Sequence, residues 1–181
     1  ANSYAITITQ PEPMQVSITT NNYNNYQIMC YGMSDTAFVN VSGGAVPYTL
    51  DITGGNSISN TSITNNSGTF SPSGIFQGNY AFTITDDDGC TYIDSIVFVA
   101  TDQIIYSIAI DEIDICVNTN ATGQFTITSI GGVGNHTYHW WNSDSSYTTA
   151  LPSPDGLVSD WYFFIVTDAN GCITATDSIF M

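Results

Sequence analysis

The chain has 181 residues, and its 16 acidic side chains, with no lysine or arginine, give a formal net charge of −16. A chain without cationic side chains cannot neutralise phosphate groups, which argues against nucleic-acid binding and against docking on anionic membranes. Hydrophobic residues make up 43% of the chain and aromatic residues 13%, enough apolar surface for a folded core. No stretch is long and apolar enough to insert into a bilayer.

The first predicted element is a strand at residues 3–10. Tyr4, Ile6 and Ile8 alternate there with polar residues and would present an apolar face and unpaired backbone groups to another sheet. Residues 3–10 resemble residues 95–103, which close the first of two repeats, so residues 1–10 belong to or are donated to an adjacent repeat or subunit. The strand either completes the C-terminal sandwich of a neighbouring copy, head to tail, or belongs to a preceding repeat of one longer polypeptide.

The elements that follow are also predicted to be strands. Isoleucine, valine, threonine, tyrosine and phenylalanine dominate, and short alternating runs are separated by glycine, asparagine, aspartate and proline. No stretch has a convincing helical period. The sequence therefore predicts an all-β fold.

The sequence repeats itself once. Residues 30–44 and 116–132 each contain a cysteine, a polar turn, an alternating strand and a double glycine, and residues 80–90 (YAFTITDDDGC) match residues 162–172 (YFFIVTDANGC). Several short strands in each repeat of about 80 to 90 residues are typical of a β-sandwich. We predict two tandem immunoglobulin-like β-sandwich domains, at residues 11–101 and 102–181.

The chain contains four cysteines and no CxxC motif: Cys30, Cys90, Cys116 and Cys172. Cysteines in this number indicate disulfides and an oxidising compartment, so we expect a secreted protein, extracellular or at the cell surface. The repeat alignment selects one disulfide for each domain, Cys30 with Cys90 and Cys116 with Cys172.

Several motifs together resemble the repeat named after the gliding adhesin SprB, which is found in very long surface proteins of Bacteroidota. The motifs are Thr9-Gln10-Pro11, Gly43-Gly44 with Pro47-Tyr48, Gly131-Gly132 with Tyr138 and Trp140, and two Thr-Asp-x-x-Gly-Cys endings. The resemblance covers nearly the whole chain. It departs from the pattern at Ile52, where a tryptophan is usual, and at Asn135-His136, which replace Pro-Tyr.

The resemblance implies a structural, non-enzymatic module of a secreted adhesin or extracellular fibre, assembled from copies of itself or adjacent repeats. It implies no catalytic residues. It also places Tyr138 and Trp140 in the core and leaves Trp141 outside, as a surface for a sugar or a neighbouring subunit. Two other function classes stay open: a glycan- or calcium-binding recognition module, and an accessory domain of a secreted enzyme.

Acidic turns precede the second cysteine of each repeat. Asp86 and Asp88 are the better candidates for supplying oxygen ligands to calcium. Aspartate, asparagine and glycine are also what a tight turn requires, so a plain structural turn is the competing interpretation. We expect no other cofactor.

Covalent glycans are the second class of expected partner. O-glycosylation in Bacteroidota recognises aspartate, then serine or threonine, then a small or aliphatic residue, which predicts glycans on Thr36, Ser95 and Ser178. Asn-x-Ser/Thr sequons, at a frequency close to chance, mark five further candidates: Asn40, Asn60, Asn65, Asn120 and Asn135.

Overall fold

A computed structural model describes residues 12–55, 61–113 and 123–181. All the regular secondary structure in these residues is β-strand, which confirms the predicted all-β class. The chain divides into two compact units between Ala100 and Thr101, and three residues from the first half of the sequence, Met29–Tyr31, belong to unit 2. The division lies one residue from the predicted boundary; that each unit is an independent domain stays a prediction.

Unit 1 contains two antiparallel sheets. Their strand orders are β1-β2-β5 and β4-β3-β6-β7. Alternate residues of β2 and β6 are buried, and the buried residues of both sheets share one hydrophobic cluster around Leu50 and Phe82. The strands are β1 (Gln15–Thr20), β2 (Ala37–Ser42), β3 (Tyr48–Gly54), β4 (Thr61–Asn65), β5 (Thr69–Phe70), β6 (Gly78–Thr85) and β7 (Thr91–Phe98).

Unit 2 has the same order of long strands. β8 pairs with β9, and a second sheet has the order β11-β10-β12-β13. Its core surrounds Trp140, which is completely buried as predicted, with Tyr138 packed against the cluster. The strands are β8 (Ile105–Ile113), β9 (Gly123–Ile130), β10 (Thr137–Asn142), β11 (Thr148–Thr149), β12 (Trp161–Thr167) and β13 (Asp177–Phe180).

Each unit also anchors a buried tyrosine near the start of a central strand. The Tyr80 hydroxyl donates to the Phe76 carbonyl at 3.0 Å, and the Tyr162 hydroxyl donates to the Val158 carbonyl at 3.1 Å. In both units the acceptor lies four residues upstream. Because the ring is buried and its hydroxyl is bonded, each tyrosine fixes the path of the chain into the strand.

The predicted N-terminal strand, with Tyr4, Ile6 and Ile8, lies outside the described residues.

Candidate functional site

The segment between β6 and β7, residues 86–90, is built around a buried carboxylate; we call it closing turn 1. Asp86 is 6% exposed. Its Oδ1 accepts the backbone N–H of Cys90 at 2.8 Å, and its Oδ2 accepts the N–H of Ala45 at 3.2 Å. Hydrogen bonds to backbone amides satisfy a charge that would be costly to bury alone.

Closing turn 2, residues 168–172, repeats this arrangement in unit 2. Asp168 is 5% exposed. Its Oδ2 accepts the N–H of Val133 at 2.9 Å, and its Oδ1 accepts the N–H groups of Asn170 and Cys172, both at 2.9 Å. The two turns therefore clamp equivalent loops, since Ala45 and Val133 each follow a double glycine.

The double glycines are explained by these carboxylates. Gly44 and Gly132 have φ values of +66° and +58°, in the left-handed region that side chains disfavour. A Cβ on Gly44 would lie 2.6 Å from Asp86 Oδ2, and a Cβ on Gly132 would lie 2.7 Å from Asp168 Oδ2. The paired motifs, Gly-Gly and Thr-Asp-x-x-Gly-Cys, are thus two halves of one contact.

The structural-turn interpretation accounts for Asp86, because both of its carboxylate oxygens accept backbone amides. Asp88 is exposed in the same turn. In the parts of the chain that the structure describes, no group of three or more histidine, cysteine, aspartate or glutamate side chains could hold a metal ion. Calcium binding at Asp86 and Asp88 stays an untested prediction.

The predicted disulfide pairing is wrong. Cys30 is bonded to Cys172, with Cα atoms 5.6 Å apart and 142 positions between them in sequence, so neither Cys30–Cys90 nor Cys116–Cys172 forms. Cys90 is a free, exposed thiol, and Cys116 lies outside the described residues.

The physical reason is the placement of Met29–Tyr31 in unit 2. The Met29 carbonyl accepts the Asn170 side-chain N–H at 3.4 Å and lies 3.2 Å from Cys172 Sγ. This segment therefore holds Cys30 against closing turn 2. The repeat alignment matched Cys90 with Cys172, whose N–H groups make the same hydrogen bond, but equivalence in sequence does not determine which cysteines lie within bonding distance.

Two of the three predicted O-glycosylation residues are exposed. Ser95 and Ser178 are exposed on β7 and β13, each the last strand of its sheet among the described residues. Thr36 is half-buried just before β2. In all three tripeptides the aspartate Oδ1 accepts the N–H of the next residue, at 2.7 to 2.8 Å. The same contact occurs at Asp160–Trp161, so it does not identify a glycosylation site.

The N-glycosylation sequons differ in their surroundings. Asn40 and Asn135 are exposed. The Asn65 side chain is engaged in a turn, where it donates to the Thr69 carbonyl at 2.7 Å and accepts the Gly68 N–H at 3.0 Å. A glycan on Asn65 would replace one of the two Nδ2 hydrogens beside this turn. The remaining two sequons, at Asn60 and Asn120, lie outside the described residues.

Trp141 lies in an aromatic surface formed by three rings on the outer face of the β10–β12 pair. Its ring stacks on His139 at 5.3 Å and on Phe163 at 5.9 Å, with interplanar angles of 29° and 18°. A cavity of about 450 Å³ borders His139 and Trp141. Sequence reasoning missed Phe163, although strand periodicity places it on the face opposite the buried Phe164.

Sequence reasoning also missed a contact between β8 and β13. The Tyr106 hydroxyl donates to Asp177 Oδ2 at 2.6 Å. This bond, together with partial burial, raises the pKa of Tyr106 to about 12. The same bond lowers the pKa of Asp177 below its usual value.

No helix in residues 12–55, 61–113 or 123–181 is able to span a membrane. The sequence matches no protein-family model, and the search of curated proteins returns no match. The SprB-type resemblance therefore stays a prediction carried by the motifs alone.

Proposed function

We propose that the chain is a structural, non-enzymatic repeat module of a secreted bacterial surface adhesin or extracellular fibre, of the SprB type found in Bacteroidota. The observation that carries this proposal is that the same local structure occurs in both units. Both units lock a double-glycine turn to a closing turn through a buried aspartate. Tandem copies of one supersecondary design are typical of proteins that extend by repetition.

We further propose that each unit is an immunoglobulin-like sandwich and an independent domain. The anchored tyrosines support this, because a buried tyrosine bonded to the backbone a few residues upstream is a hallmark of that fold. The shared core of the two sheets in unit 1 supports it as well.

Secretion and glycosylation complete the proposal. The Cys30–Cys172 disulfide favours an oxidising compartment. Exposed edge strands are commonly protected from unwanted pairing by lysine, which this chain lacks. Glycans on Ser95 and Ser178 would protect β7 and β13 instead.

The proposed head-to-tail assembly uses residues 1–10, whose Tyr4, Ile6 and Ile8 would pair with a neighbouring copy. The test compares the full chain, secreted by a Bacteroidota host, with a variant lacking residues 1–10. Electron microscopy should show fibres for the full chain and folded monomers for the deletion. Fibres that persist unchanged without residues 1–10 would exclude strand donation, and a full chain that stays monomeric would contradict the fibre proposal.

Glycosylation is tested by the intact mass. A modified chain should exceed the 19.5 kDa polypeptide, and the excess should disappear when Thr36, Ser95 and Ser178 are all replaced by alanine. A mass equal to the polypeptide would remove the glycan from the proposal.

The second candidate function is glycan recognition, which the aromatic surface of His139, Trp141 and Phe163 favours. Stacked rings beside a cavity offer apolar faces on which sugar rings pack. A glycan array should show no preferred sugar if the chain is a passive spacer. A preferred sugar that is lost in Trp141→Ala, with Val158→Ala as an exposed control in the same unit, would favour recognition.

A further inference from the structure

Closing turn 1 presents a free thiol at the position where closing turn 2 carries a disulfide. Cys90 and Cys172 each lie five residues beyond the end of a strand, β6 (85 to 90) or β12 (167 to 172). Their N–H groups donate to the aspartate Oδ1 at 2.8 and 2.9 Å, and both of their carbonyls accept the aspartate N–H at 3.0 Å. The backbone of Cys90 is therefore held as the backbone of the bonded Cys172 is held.

The surroundings of the two cysteines differ. Cys172 is 7% exposed, with the carbonyl of Met29 against its Sγ, whereas Cys90 is exposed. Beside Cys90 lies a cavity of about 340 Å³ whose walls include Pro13, Met14 and Tyr92 together with the acidic residues Glu12, Asp86 and Asp88, a volume that about ten waters would fill. The segment that carries Cys30 lies against closing turn 2, whereas an open cavity lies beside Cys90 in closing turn 1.

The Cys30–Cys172 bond suggests which segment fills this cavity. Cys30 lies seven positions before β2 (30 to 37) and bonds the closing turn of the following repeat. Cys116, compared by sequence position alone, lies seven positions before β9 (116 to 123). Uncharged residues flank both cysteines, Met29 and Tyr31 in one case and Ile115 and Val117 in the other.

We propose that Cys116 of one copy forms a disulfide with Cys90 of a second copy, repeating between copies the bond that Cys30 and Cys172 form within one copy. Each copy then uses Cys90 once and Cys116 once, so the contact is heterologous and extends head to tail without closing. The proposal rests on the proposed function as a fibre module. The covalent bond would secure a fibre whose strand contacts are noncovalent.

The bond forms by thiol–disulfide exchange with a small-molecule disulfide such as oxidised glutathione. The Cys90 thiol, losing its proton, attacks one glutathione sulfur and releases the other glutathione, which takes up a proton. The Cys116 thiol of the second copy then loses its proton and attacks Cys90 Sγ, releasing the second glutathione as a thiol. Two protein thiols are oxidised to one disulfide, and one glutathione disulfide is reduced to two thiols.

The experiment oxidises an equal mixture of ¹⁵N-labelled and unlabelled full chain in a glutathione buffer. Non-reducing electrophoresis should show a ladder that a reductant collapses. Cleavage at aspartate, since trypsin has no site in this chain, should release a Cys90–Cys116 peptide that includes mixed-isotope forms. Only single-isotope forms would mean an intramolecular bond and would overturn the proposal.

Two variants test the head-to-tail direction. On a denaturing, non-reducing gel, the Cys90→Ser and Cys116→Ser chains should each run as a monomer alone and should form a disulfide-linked dimer, with no longer species, when mixed. Cys90–Cys90 dimers in the Cys116→Ser chain alone would overturn the proposal. If tryptophan fluorescence shows that Cys116→Ser is unfolded, the wild-type chain with its thiols alkylated before oxidation takes the place of that variant. Alkylation should abolish the ladder. A ladder that survives complete alkylation would overturn the proposal.

Electron microscopy of the same samples separates the two proposals. Fibres of the oxidised wild-type chain that yield no Cys90–Cys116 peptide would overturn the disulfide and leave the fibre module standing. A disulfide ladder without fibres would support the covalent link and contradict the fibre module.

Discussion

Closing turns 1 and 2 make the same backbone hydrogen bonds, but their cysteines differ, because one is free and the other is in a disulfide. Each turn buries an aspartate that accepts the N–H of its cysteine and the N–H that follows a double glycine. Only closing turn 2 carries a disulfide, formed with Cys30, while Cys90 in closing turn 1 is free. The hydrogen-bonded turn is therefore a property of each unit by itself, and the disulfide depends on a second segment of chain.

This difference separates two kinds of stabilisation. The aspartate and its amides fix local geometry and need only residues of the same unit. The disulfide joins residues 142 positions apart and stabilises mainly by restricting the unfolded chain. Substitutions in unit 2 can be compared directly, because all three tryptophans, Trp140, Trp141 and Trp161, lie there and their fluorescence reports on its unfolding.

The largest effect is expected from removing the disulfide. The double variant Cys30→Ser with Cys172→Ser should lower the free energy of unfolding of unit 2 by about 5 kcal/mol, because the unfolded chain regains the entropy of a closed loop. Tryptophan fluorescence in a denaturant series measures the change. The matched control is Cys90→Ser, measured on monomer, which should change stability by less than about 0.5 kcal/mol. An equal loss in both variants would show that the loss of stability in unit 2 does not come from the disulfide.

The next largest effect is expected from Asp168→Ala. Its removal leaves the N–H groups of Val133, Asn170 and Cys172 without their acceptor, which should cost about 3 kcal/mol. Denaturant unfolding followed by tryptophan fluorescence measures this, with the exposed Asp155→Ala as control. The equivalent Asp86→Ala removes the acceptor of two amides and should cost about 2 kcal/mol, measured by hydrogen exchange in unit 1. Values for Asp168→Ala no larger than for Asp155→Ala would show that the clamp does not stabilise the turn.

Local patterns in the sequence were sufficient to predict the features that short-range geometry controls. The alternation of residues predicted strands and, with the family resemblance, placed Trp140 inside. The Thr-Asp-x-x-Gly-Cys pattern predicted a turn before each second cysteine. These features depend on residues close together in sequence, where side-chain direction follows from the two-residue period of a strand.

Long-range features could not be read from the same patterns. Cys30 and Cys172 are far apart in sequence, and the repeat alignment favoured the wrong partners because it compares positions and contains no distances. Tyr106 and Asp177, which belong to separate strands, illustrate the same limit. The stacking of Trp141 on Phe163 depends on the β10–β12 register, in which these two residues are directly paired.

A smaller effect is expected from the glycine that faces the Asp168 carboxylate. Gly132→Ala should cost about 2 kcal/mol, since it combines a left-handed backbone with a Cβ placed 2.7 Å from Asp168 Oδ2. Gly171→Ala is the control, because φ there is +85° and the nearest atom to its Cβ, Met29 Cε, is 3.8 Å away. Strain alone should cost that variant about 1 kcal/mol. Equal losses by tryptophan fluorescence would mean that backbone strain accounts for both and that the carboxylate contact does not matter.

The smallest effect is expected at the Tyr106–Asp177 bond, which has no counterpart in unit 1, where Val16 and Asp94 occupy the corresponding strands. Ultraviolet titration should place the pKa of Tyr106 at about 12, and Asp177→Asn should bring it towards 10. Because the folded pKa of Tyr106 is raised, the stabilisation is complete below pH 10 and is lost as the pH rises towards 12. Because the pKa of Asp177 is lowered from 3.8, its stabilisation is present above that value and is lost as the pH falls below it. Solvent screens this exposed bond, so Tyr106→Phe should cost about 0.5 kcal/mol at neutral pH. A Tyr106 titration that is the same in the wild type and in Asp177→Asn would show that the carboxylate does not hold the hydroxyl in solution.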